Sequence, residues 1–506
     1  MKTVPKYRNL IWALLFGLIA FLIAYGGRNK PGVTPDSVRY LRTADSLMER
    51  DGFFVKGEYG PFPGDGERPF TSWPPFFPLM IAFFSIFFDT IIAARIIILG
   101  SFALLPAALI YLGRESGCST AGRIAGALVV ISPVMLHSAW HIWTEIPFTL
   151  FLIISTALLI RIHRESEPDT SLILICATAT AAAIMTRYVG ILLLPIGYII
   201  LRRKKDGGFR KIALYFSPAV ILLSTWIFRN FLVSGNLSGN RVASTIGIGD
   251  NLSAFLELVP NAFVFGSSKA RLMISPVFWL YGTWILLGVG LILVIAVFKG
   301  ELKPEIRGNW SGVVISLVSG LSVIGFYIVL RSIIAFDDIN PRFLAPGLPL
   351  IVFGIVAAIV RLTEKRLLVS CLFGAIFLGI ISMQLVSTID LGVTEYDGID
   401  ANSMANRFDF SYVYLENMAK GKDIYTDNES RVLWLLDRPC HSLPKSGDIE
   451  RWIDIVESGL LVFFRPGNWR KNEMTPFEAR LLERKGKIRM VKQFEDGKQI
   501  YEITSD

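Results

Sequence analysis

The sequence is poor in charge, in cysteine and in histidine. Of its 506 residues, 18% are charged and 52% are hydrophobic, whereas soluble domains carry about 25% charge. The four cysteines show no CxxC spacing, so no zinc site or disulfide framework can be recognised. Repeated apolar runs approach the roughly 20 residues that cross a bilayer as a helix, where the backbone must bond within itself. The chain is therefore predicted to contain an all-α, multi-pass membrane domain.

The net charge of +9 does not indicate nucleic-acid binding, because the excess basic residues lie largely in short loops between apolar runs. Membrane proteins keep such loops in the cytoplasm. Applying that rule predicts eleven spans in a cell membrane, a cytoplasmic N-terminus and an outer C-terminus. The predicted spans cover residues 10–26, 91–112, 124–137, 146–160, 171–185, 189–201, 212–228, 277–298, 312–330, 344–360 and 367–386.

The remaining segments complete the predicted domain organisation. The short, proline-opened segment 73–88 is interpreted as a juxtamembrane helix at the outer interface. Residues 1–386 form the predicted transmembrane domain, with residues 27–90 as its first outer loop. Residues 387–506 form a predicted small extracytoplasmic α/β domain, with strand patterns at 422–426, 431–436, 459–464 and 489–503 and helices at 402–420 and 450–457.

Asp36 follows the first span, at the start of a predicted helix that carries Leu41, Ala44 and Leu47. A carboxylate at the membrane surface can accept the proton of an attacking hydroxyl group. The alternative is that Asp36 caps the helix, since Pro-Asp-Ser is a common helix start. Both roles are consistent with the sequence.

Glu145 lies in a short outer turn that also contains two of the four histidines. His137, His141 and Glu145 are spaced by four, so a continuous helix would align them on one face. Such a trio can bind a metal, but HxxxH alone lacks the glutamate of the zinc-protease signature. A divalent metal is therefore possible but not favoured, and we expect a hydrogen-bonded polar lining. Ionisable groups at membrane depth are functional candidates by default.

Four arginines fall at the outer ends of predicted spans, namely Arg187, Arg229, Arg331 and Arg342. Guanidinium groups bind phosphate through two parallel hydrogen bonds. Arg187 is the most informative, because the two spans that it joins are short and its turn can lie where a lipid phosphate sits. The alternative for each arginine is interfacial snorkelling or an ion pair with Asp337 or Asp338.

In this order, these residues resemble the type C glycosyltransferases, in the subgroup of aminoarabinose transferases, protein O-mannosyltransferases and related bacterial enzymes. The likeness covers nearly the whole chain. It rests on Asp36-x-x-x-Tyr40-x-x-x-Ala44, Trp73-Pro74-Pro75-Phe76-Phe77-Pro78, Ala93-Ala94-Arg95, Glu145-Ile146-Pro147-Phe148, Trp226-x-x-Arg229-Asn230, Pro341-Arg342-Phe343-Leu344 and Ile424-Tyr425-Thr426-Asp427-Asn428.

The resemblance implies an outer cavity where a polyprenyl-phosphate sugar meets an acceptor, with the transferred group a hexose or pentose. Asp36 matches the first-loop carboxylate that acts as general base or orients the acceptor, and Glu145 falls near a second acidic position that some members use. Ser37 follows Asp36 where O-mannosyltransferases carry an Asp-Glu pair, which argues against that branch. We therefore predict Asp36 and Glu145 as catalytic and, as substrate-binding residues, Tyr40, Arg95, His141, Arg187, Arg229, Asp338 and Arg342.

Other classes of protein remain as alternatives. A transporter would need a path through the bilayer and often shows paired repeats with broken helices, which this sequence lacks. A lipid-linked glycan polymerase or ligase would share the basic outer cavity but use a lipid diphosphate. A non-catalytic membrane scaffold is the third alternative. The acceptor, whether lipid, glycan or protein, is not indicated by the sequence.

Overall fold

The computed structural model describes residues 6–27, 29–204, 208–235, 243–263, 304–336, 339–363, 367–394, 409–464 and 473–504. The chain divides into two compact units, which are described separately. The helical unit comprises Met1–Asn29, Thr71–Phe77 and Arg95–Tyr396, and the sheet unit comprises Lys30–Phe70, Pro78–Ala94 and Asp397–Asp506.

The first two-thirds of the chain is mostly helical. Its helices are Lys6–Gly26, Pro35–Met48, Phe76–Ser85, Thr90–Glu115, Ser119–Val130, Pro133–Trp140, Glu145–Arg164, Thr170–Thr186, Leu193–Arg202, Phe209–Ser234, Ile248–Phe263, Pro304–Ile333, Pro341–Leu344, Leu348–Thr363 and Leu367–Thr394, with a 3₁₀ helix at Tyr188–Leu192.

The predicted spans that fall on described residues are largely helical, with breaks at 131–132 and 345–347. Within the described part of the chain, five helices are long and apolar enough to cross a membrane, or six if Ser119–Val130 and Pro133–Trp140, bent by 57° at their junction, form one span. The shorter apolar helices include Phe76–Ser85, which lies within the predicted juxtamembrane segment. The prediction for 277–298 lies outside the described residues. The chain is thus a multi-pass membrane protein, and the total of eleven spans stays a prediction.

Small residues let helices of this unit approach closely. A Cβ atom on Gly113 would lie 2.8 Å from Cα of Gly122, and one on Gly122 would lie 2.6 Å from the carbonyl oxygen of Leu109. In lipid, helices associate through such close packing, since the surrounding acyl chains remove the hydrophobic driving force. These glycines therefore bring Thr90–Glu115 and Ser119–Val130 together.

The sheet unit contains one mixed, seven-stranded sheet. The strands are β1 (Phe54–Tyr59), β2 (Glu67–Pro69), β3 (Ile424–Thr426), β4 (Cys440–Ser442), β5 (Gly459–Phe463), β6 (Ile488–Gln493) and β7 (Gln499–Ile503), in the order β2-β1-β4-β3-β5-β7-β6. The neighbours β1, β4, β3 and β5 are parallel, whereas β2, β7 and β6 pair antiparallel to their neighbours. Residues 30–70, predicted as an outer loop of the first domain, thus contribute two strands to the same sheet as the tail.

The tail helices of this unit are Phe410–Met418, Glu429–Leu435, Ile449–Ile455 and Pro476–Arg484. Three of the four strand predictions coincide with strands, and 489–503 forms the expected hairpin. The prediction of a strand at 431–436 is wrong, because that segment lies in the helix Glu429–Leu435. The helix is the crossover that parallel β3 and β4 require, and a short apolar run alone does not distinguish helix from strand.

Gly197 gives a test of packing in the helical unit. A Cβ atom there would overlap the ring of Tyr215, whose buried hydroxyl group donates to the carbonyl oxygen of Leu193 at 3.0 Å. Because that ring is held in place, Gly197→Ala is expected to destabilise the protein by about 1–3 kcal/mol through overpacking. Thermal unfolding of the purified protein in detergent measures the effect.

The matched control is Gly325→Ala, at a helical glycine whose added Cβ would meet nothing within 4 Å. It should leave the unfolding temperature unchanged or slightly raised, since alanine is the better helix former. Equal unfolding temperatures for the Gly197 variant and the unmodified protein would contradict the packing argument.

Candidate active site

Glu145 is the first residue of the helix Glu145–Arg164 and its side chain is fully buried. The N-terminus of a helix favours a negative charge, because the peptide dipoles leave a partial positive charge there. A buried carboxylate still needs charge partners close by, since losing water costs several kcal/mol per ion. Two arginines from distant parts of the sequence provide them.

Arg187 lies at the break between the helix Thr170–Thr186 and the 3₁₀ helix Tyr188–Leu192, with an extended backbone. Its Nη1 lies 2.7 Å from Oε1 of Glu145 and donates to Oγ1 of Thr144 at 2.8 Å. Its Nε donates to the hydroxyl oxygen of Tyr327 at 2.9 Å. The short spans predicted on either side of Arg187 thus place its guanidinium group in a buried polar cluster.

Arg342 reaches the same carboxylate from the short helix Pro341–Leu344. Asn340 caps that helix, with its side-chain oxygen accepting from the Arg342 amide at 3.0 Å. The Arg342 Nε donates to Oε1 of Glu145, and its guanidinium carbon lies 4.3 Å from the centre of the Trp143 ring. Trp143 in turn stacks on His141, with ring centres 3.8 Å apart and planes 11° apart. The aromatic pair fixes the plane of the guanidinium group.

The three ionic side chains leave an excess of one positive charge. The side chains of Arg187 and Arg342 retain 15% and 9% of their exposure, while that of Glu145 retains none. Oε2 of Glu145 has no hydrogen-bond partner among the described residues. Two guanidinium groups brought together on one carboxylate have the chemistry to bind an anion with several acceptor oxygens, such as a phosphate group.

No continuous helix carries His137, His141 and Glu145, so the alignment that such a helix would give is absent from this turn. His137 lies in the helix Pro133–Trp140, His141 follows it with extended backbone, and Glu145 begins the next helix. Nδ1 of His141 pairs with the carbonyl oxygen of His137 at 2.8 Å. His141 therefore lies in the aromatic stack under Arg342 instead of on a shared helix face. Among the described residues, no three His, Cys, Asp or Glu side chains are grouped as metal ligands would be.

Other predicted residues of the helical unit lie outside this cluster. Arg229 packs over the ring of Trp226 at 5.1 Å and donates to the Asn230 side-chain oxygen at 3.1 Å. Arg95 lies over the ring of Tyr25 at 5.7 Å. Arg331 donates to Asn251 at 2.5 Å. Asp338 and its neighbour 337 lie outside the described residues.

Asp36 and Tyr40 belong to the sheet unit, in the helix Pro35–Met48. Thr34 is the N-cap of that helix and Ser37 accepts from the Thr34 amide at 3.0 Å. Asp36 is the second residue of the helix, so the alternative that Asp36 is the cap is wrong. Its side chain remains partly exposed, whereas Tyr40 is fully buried against Phe70. Tyr40 thus packs in the interior of its unit.

Comparisons with known proteins bear on the fold. Residues 72–228 match the family described as dolichyl-phosphate-mannose-protein mannosyltransferase. The structure is similar to ArnT from Cupriavidus metallidurans bound to undecaprenyl phosphate, with a TM-score of 0.58 and 11% identity over 99% of this chain and 98% of that one. Comparison with curated proteins gives no match in sequence.

Two other solved structures share this fold. The oligosaccharyltransferase of Archaeoglobus fulgidus has a TM-score of 0.54 at 12% identity, covering 91% of this chain and 70% of that one. The arabinofuranosyltransferase AftD from Mycobacteria has a TM-score of 0.54 at 14% identity, covering 99% and 42%. The resemblance drawn from the sequence is therefore confirmed.

The structure therefore has the type C glycosyltransferase fold.

The family match begins after Asp36 and Ser37, so the prediction that the transferase departs from the O-mannosyltransferase branch stays a prediction. The sequence did not reveal Thr144, Trp143 and Tyr327 as partners of the two arginines. Trp143 lies in the same turn as Glu145, but no local sequence pattern indicates that its ring packs against a guanidinium group. Tyr327 lies within an apolar helix, where a single tyrosine does not indicate a polar contact.

Substituting Glu145 tests whether it holds the two arginines. Glu145→Gln leaves two buried guanidinium groups without their shared counter-ion, and breaking a buried ion pair in this way costs about 3–5 kcal/mol. The unfolding temperature of the purified transferase in detergent should fall accordingly. The control is Glu165→Gln, which removes the exposed partner of Arg161 at 2.9 Å and should cost only about 0.3–0.5 kcal/mol. Shifts of similar size in both variants would show that the arginines do not depend on Glu145.

Proposed function

We propose that the transferase moves a sugar from a polyprenyl-phosphate carrier to an acceptor on the outer face of the membrane. The observation that carries the proposal is the convergence of Arg187 and Arg342 on the fully buried Glu145. ArnT, whose fold is similar, is described as bound to undecaprenyl phosphate, which supports a phosphate-bearing lipid as the donor. No metal or other cofactor is part of the proposal.

In the proposed site, Arg187 and Arg342 bind the phosphate of the carrier, and Glu145 acts by holding both guanidinium groups. Oε1 of Glu145 is already in contact with both arginines. These contacts stabilise the ionised carboxylate, so Glu145 is a poor proton acceptor but can hold both guanidinium groups in place. When the sugar leaves, the carrier changes from a phosphodiester with one negative charge to a monoester that gains a second. The two guanidinium groups therefore stabilise the more negative transition state more than the bound donor, which is the condition for catalysis.

Asp36 is the proposed general base. The acceptor hydroxyl group attacks the anomeric carbon in line, its proton passes to the Asp36 carboxylate, and the bond from that carbon to the phosphate oxygen breaks with inversion. The phosphate leaves as an anion, so the protonating acid that glycoside hydrolases require has no counterpart here. A partly exposed position in the first turn of its helix leaves Asp36 accessible to an acceptor.

The proposed topology follows the basic loops, with eleven spans, the N-terminus in the cytoplasm and the residues after 386 outside. Tyr40, Arg95, His141, Arg229 and Asp338 stay predicted substrate-binding residues. Of these, His141 is supported by its stacking contact beneath Arg342 through Trp143. The acceptor and the sugar remain to be identified, and mass spectrometry of lipids that copurify with the transferase would weigh the carried sugar directly.

Replacing Asp36 tests the base. With the donor so identified, Asp36→Asn should lower kcat by about 10²–10⁴-fold, the usual contribution of a positioned general base, with little change in KM for the donor. The control is Asp51→Asn, just beyond the same helix and exposed, which should keep the activity of the unmodified transferase. Undiminished turnover of a folded Asp36→Asn protein would remove Asp36 from this role.

Replacing Arg342 tests the phosphate site. Arg342→Gln should lower kcat/KM by about 10²-fold, comparable to the loss of one charged transition-state donor. The control is Arg361→Gln, because Arg361 also lies over a tryptophan ring, Trp310, at 6.0 Å and donates to a backbone carbonyl group, that of Ser116. Equal losses in both variants would indicate a general structural effect. Activity with a lipid-diphosphate donor alone would instead favour a polymerase or ligase.

A further inference from the structure

The sheet unit contains a buried ion cluster, formed by Arg39, Glu58, Arg68 and Glu429. Nε and Nη2 of Arg39 donate to the two carboxylate oxygens of Glu58 at 3.1 and 3.0 Å. Nη1 of Arg68 lies 2.9 Å from Oε1 of Glu58 and 3.9 Å from Oε1 of Glu429. Glu58 is 0% and Glu429 1% exposed. Two buried carboxylates are thus paired with two arginines, of which Arg39 is largely buried and Arg68 is partly exposed.

The ion cluster joins two neighbouring segments near residue 50 to the distant tail. Arg39 lies on the helix Pro35–Met48, Glu58 and Arg68 lie on the β1–β2 hairpin, and Glu429 begins the helix that follows β3 in the tail. Glu58 is also the residue of β1 that pairs with Cys440 of β4. Burial raises the pKa of the Cys440 thiol well above its usual value, and the nearby charges of Glu429 and Glu58 add to the effect. The thiol therefore stays neutral and does not compete for the arginines.

Three further contacts hold the same helix against the tail. Nη2 of Arg42 donates to the carbonyl oxygen of Leu433 at 2.7 Å and to Oδ1 of Asp437 at 2.5 Å. Oγ of Ser430 lies 3.5 Å from the carbonyl oxygen of Pro35. Positions 35, 39 and 42 follow helical spacing, so they lie along one side of the helix. That side is fixed over its first two turns, where Asp36 is located.

A buried ion cluster is poor as a source of stability, because the cost of removing water from the charges offsets much of their attraction. The bidentate pair of Arg39 with Glu58 does fix the relative orientation of the helix and β1. A planar guanidinium group makes two parallel hydrogen bonds to a carboxylate in one arrangement only. The cluster is therefore better suited to setting the position of the helix than to stabilising the fold.

We propose that the tail, through the ion cluster, positions Asp36 for catalysis, with Glu58 and Arg39 as positioning residues. The inference rests on the proposed role of Asp36 as base. The tail domain then supports the reaction itself, because the helix that carries the base is docked on the tail by Glu429, Leu433 and Asp437.

The test is a double-mutant cycle in the full-length transferase. Glu58→Gln should lower kcat by about 10-fold or more, with KM for the donor changed less than 2-fold, since positioning errors act on the chemical step. In an Asp36→Asn background the same substitution should cause no further loss of kcat, because the group that it positions is already absent. A purely structural role would lower activity by the same factor in both backgrounds.

Two further variants guard against misfolding and general charge effects. Arg39→Lys keeps the positive charge but loses the bidentate contact, so it should reproduce the kcat loss in a milder form if Glu58→Gln does not fold. Glu49→Gln removes an exposed carboxylate just beyond the same helix, where it pairs with Lys56, and should leave kcat unchanged.

The outcomes separate this inference from the proposed function. Full turnover of Asp36→Asn would overturn both. A large loss in Asp36→Asn, together with normal kcat in Glu58→Gln and Arg39→Lys, would overturn the positioning role alone. Losses that multiply in the double variant would also overturn it.

Discussion

A carboxylate without water must be neutralised by the groups that pack around it, and Glu145 meets that constraint with two arginines. Because Arg187 and Arg342 come from segments distant in sequence, their shared contact requires the helices that carry them to pack in one arrangement. The short extended break at Arg187 and the four-residue helix at Arg342 are the local structures that permit it. The same contact brings two guanidinium groups together on one carboxylate, and the proposed phosphate site is built on that pair.

The sequence revealed the individual charges of this site but not their partners. Arg187, Arg342 and Glu145 lie at the ends of apolar runs. Basic residues are unusual at the outer ends of spans, and ionisable groups at membrane depth are costly, so all three residues could be recognised as functional candidates. The sequence could not reveal that they meet, since no periodic pattern connects residues 145, 187 and 342. An ion pair with Asp337 or Asp338 was one alternative for the arginines, and both residues lie outside the described part of the chain; the described contacts go to Glu145.

The limits of pattern reading are visible in two short segments. Residues 137–145 have helical spacing, yet the chain is extended at His141 and starts a new helix at Glu145, where Pro147 fits the first turn. Residues 431–436 are apolar, which is compatible with either a helix or a strand. Because β3 and β4 pair in parallel, the segment between them must form a crossover, and it is helical. In both segments a tertiary contact overrides a local preference. Long apolar helices were predictable because lipid leaves the backbone no alternative.

The sheet unit shows a constraint of the same kind as the site. Glu58 and Glu429 are as deeply buried as Glu145, and each is balanced by guanidinium groups. Burying a charge costs free energy of desolvation, which is offset only where oppositely charged groups are close and well oriented. Both clusters meet this condition, and both connect parts of the chain that are far apart in sequence. In the helical unit two arginines share one carboxylate, and the proposed phosphate site uses that pair. In the ion cluster two arginines face two carboxylates, which suits the proposed positioning role. The two proposed roles therefore differ in the ratio of arginines to carboxylates, and not in the burial of the carboxylates.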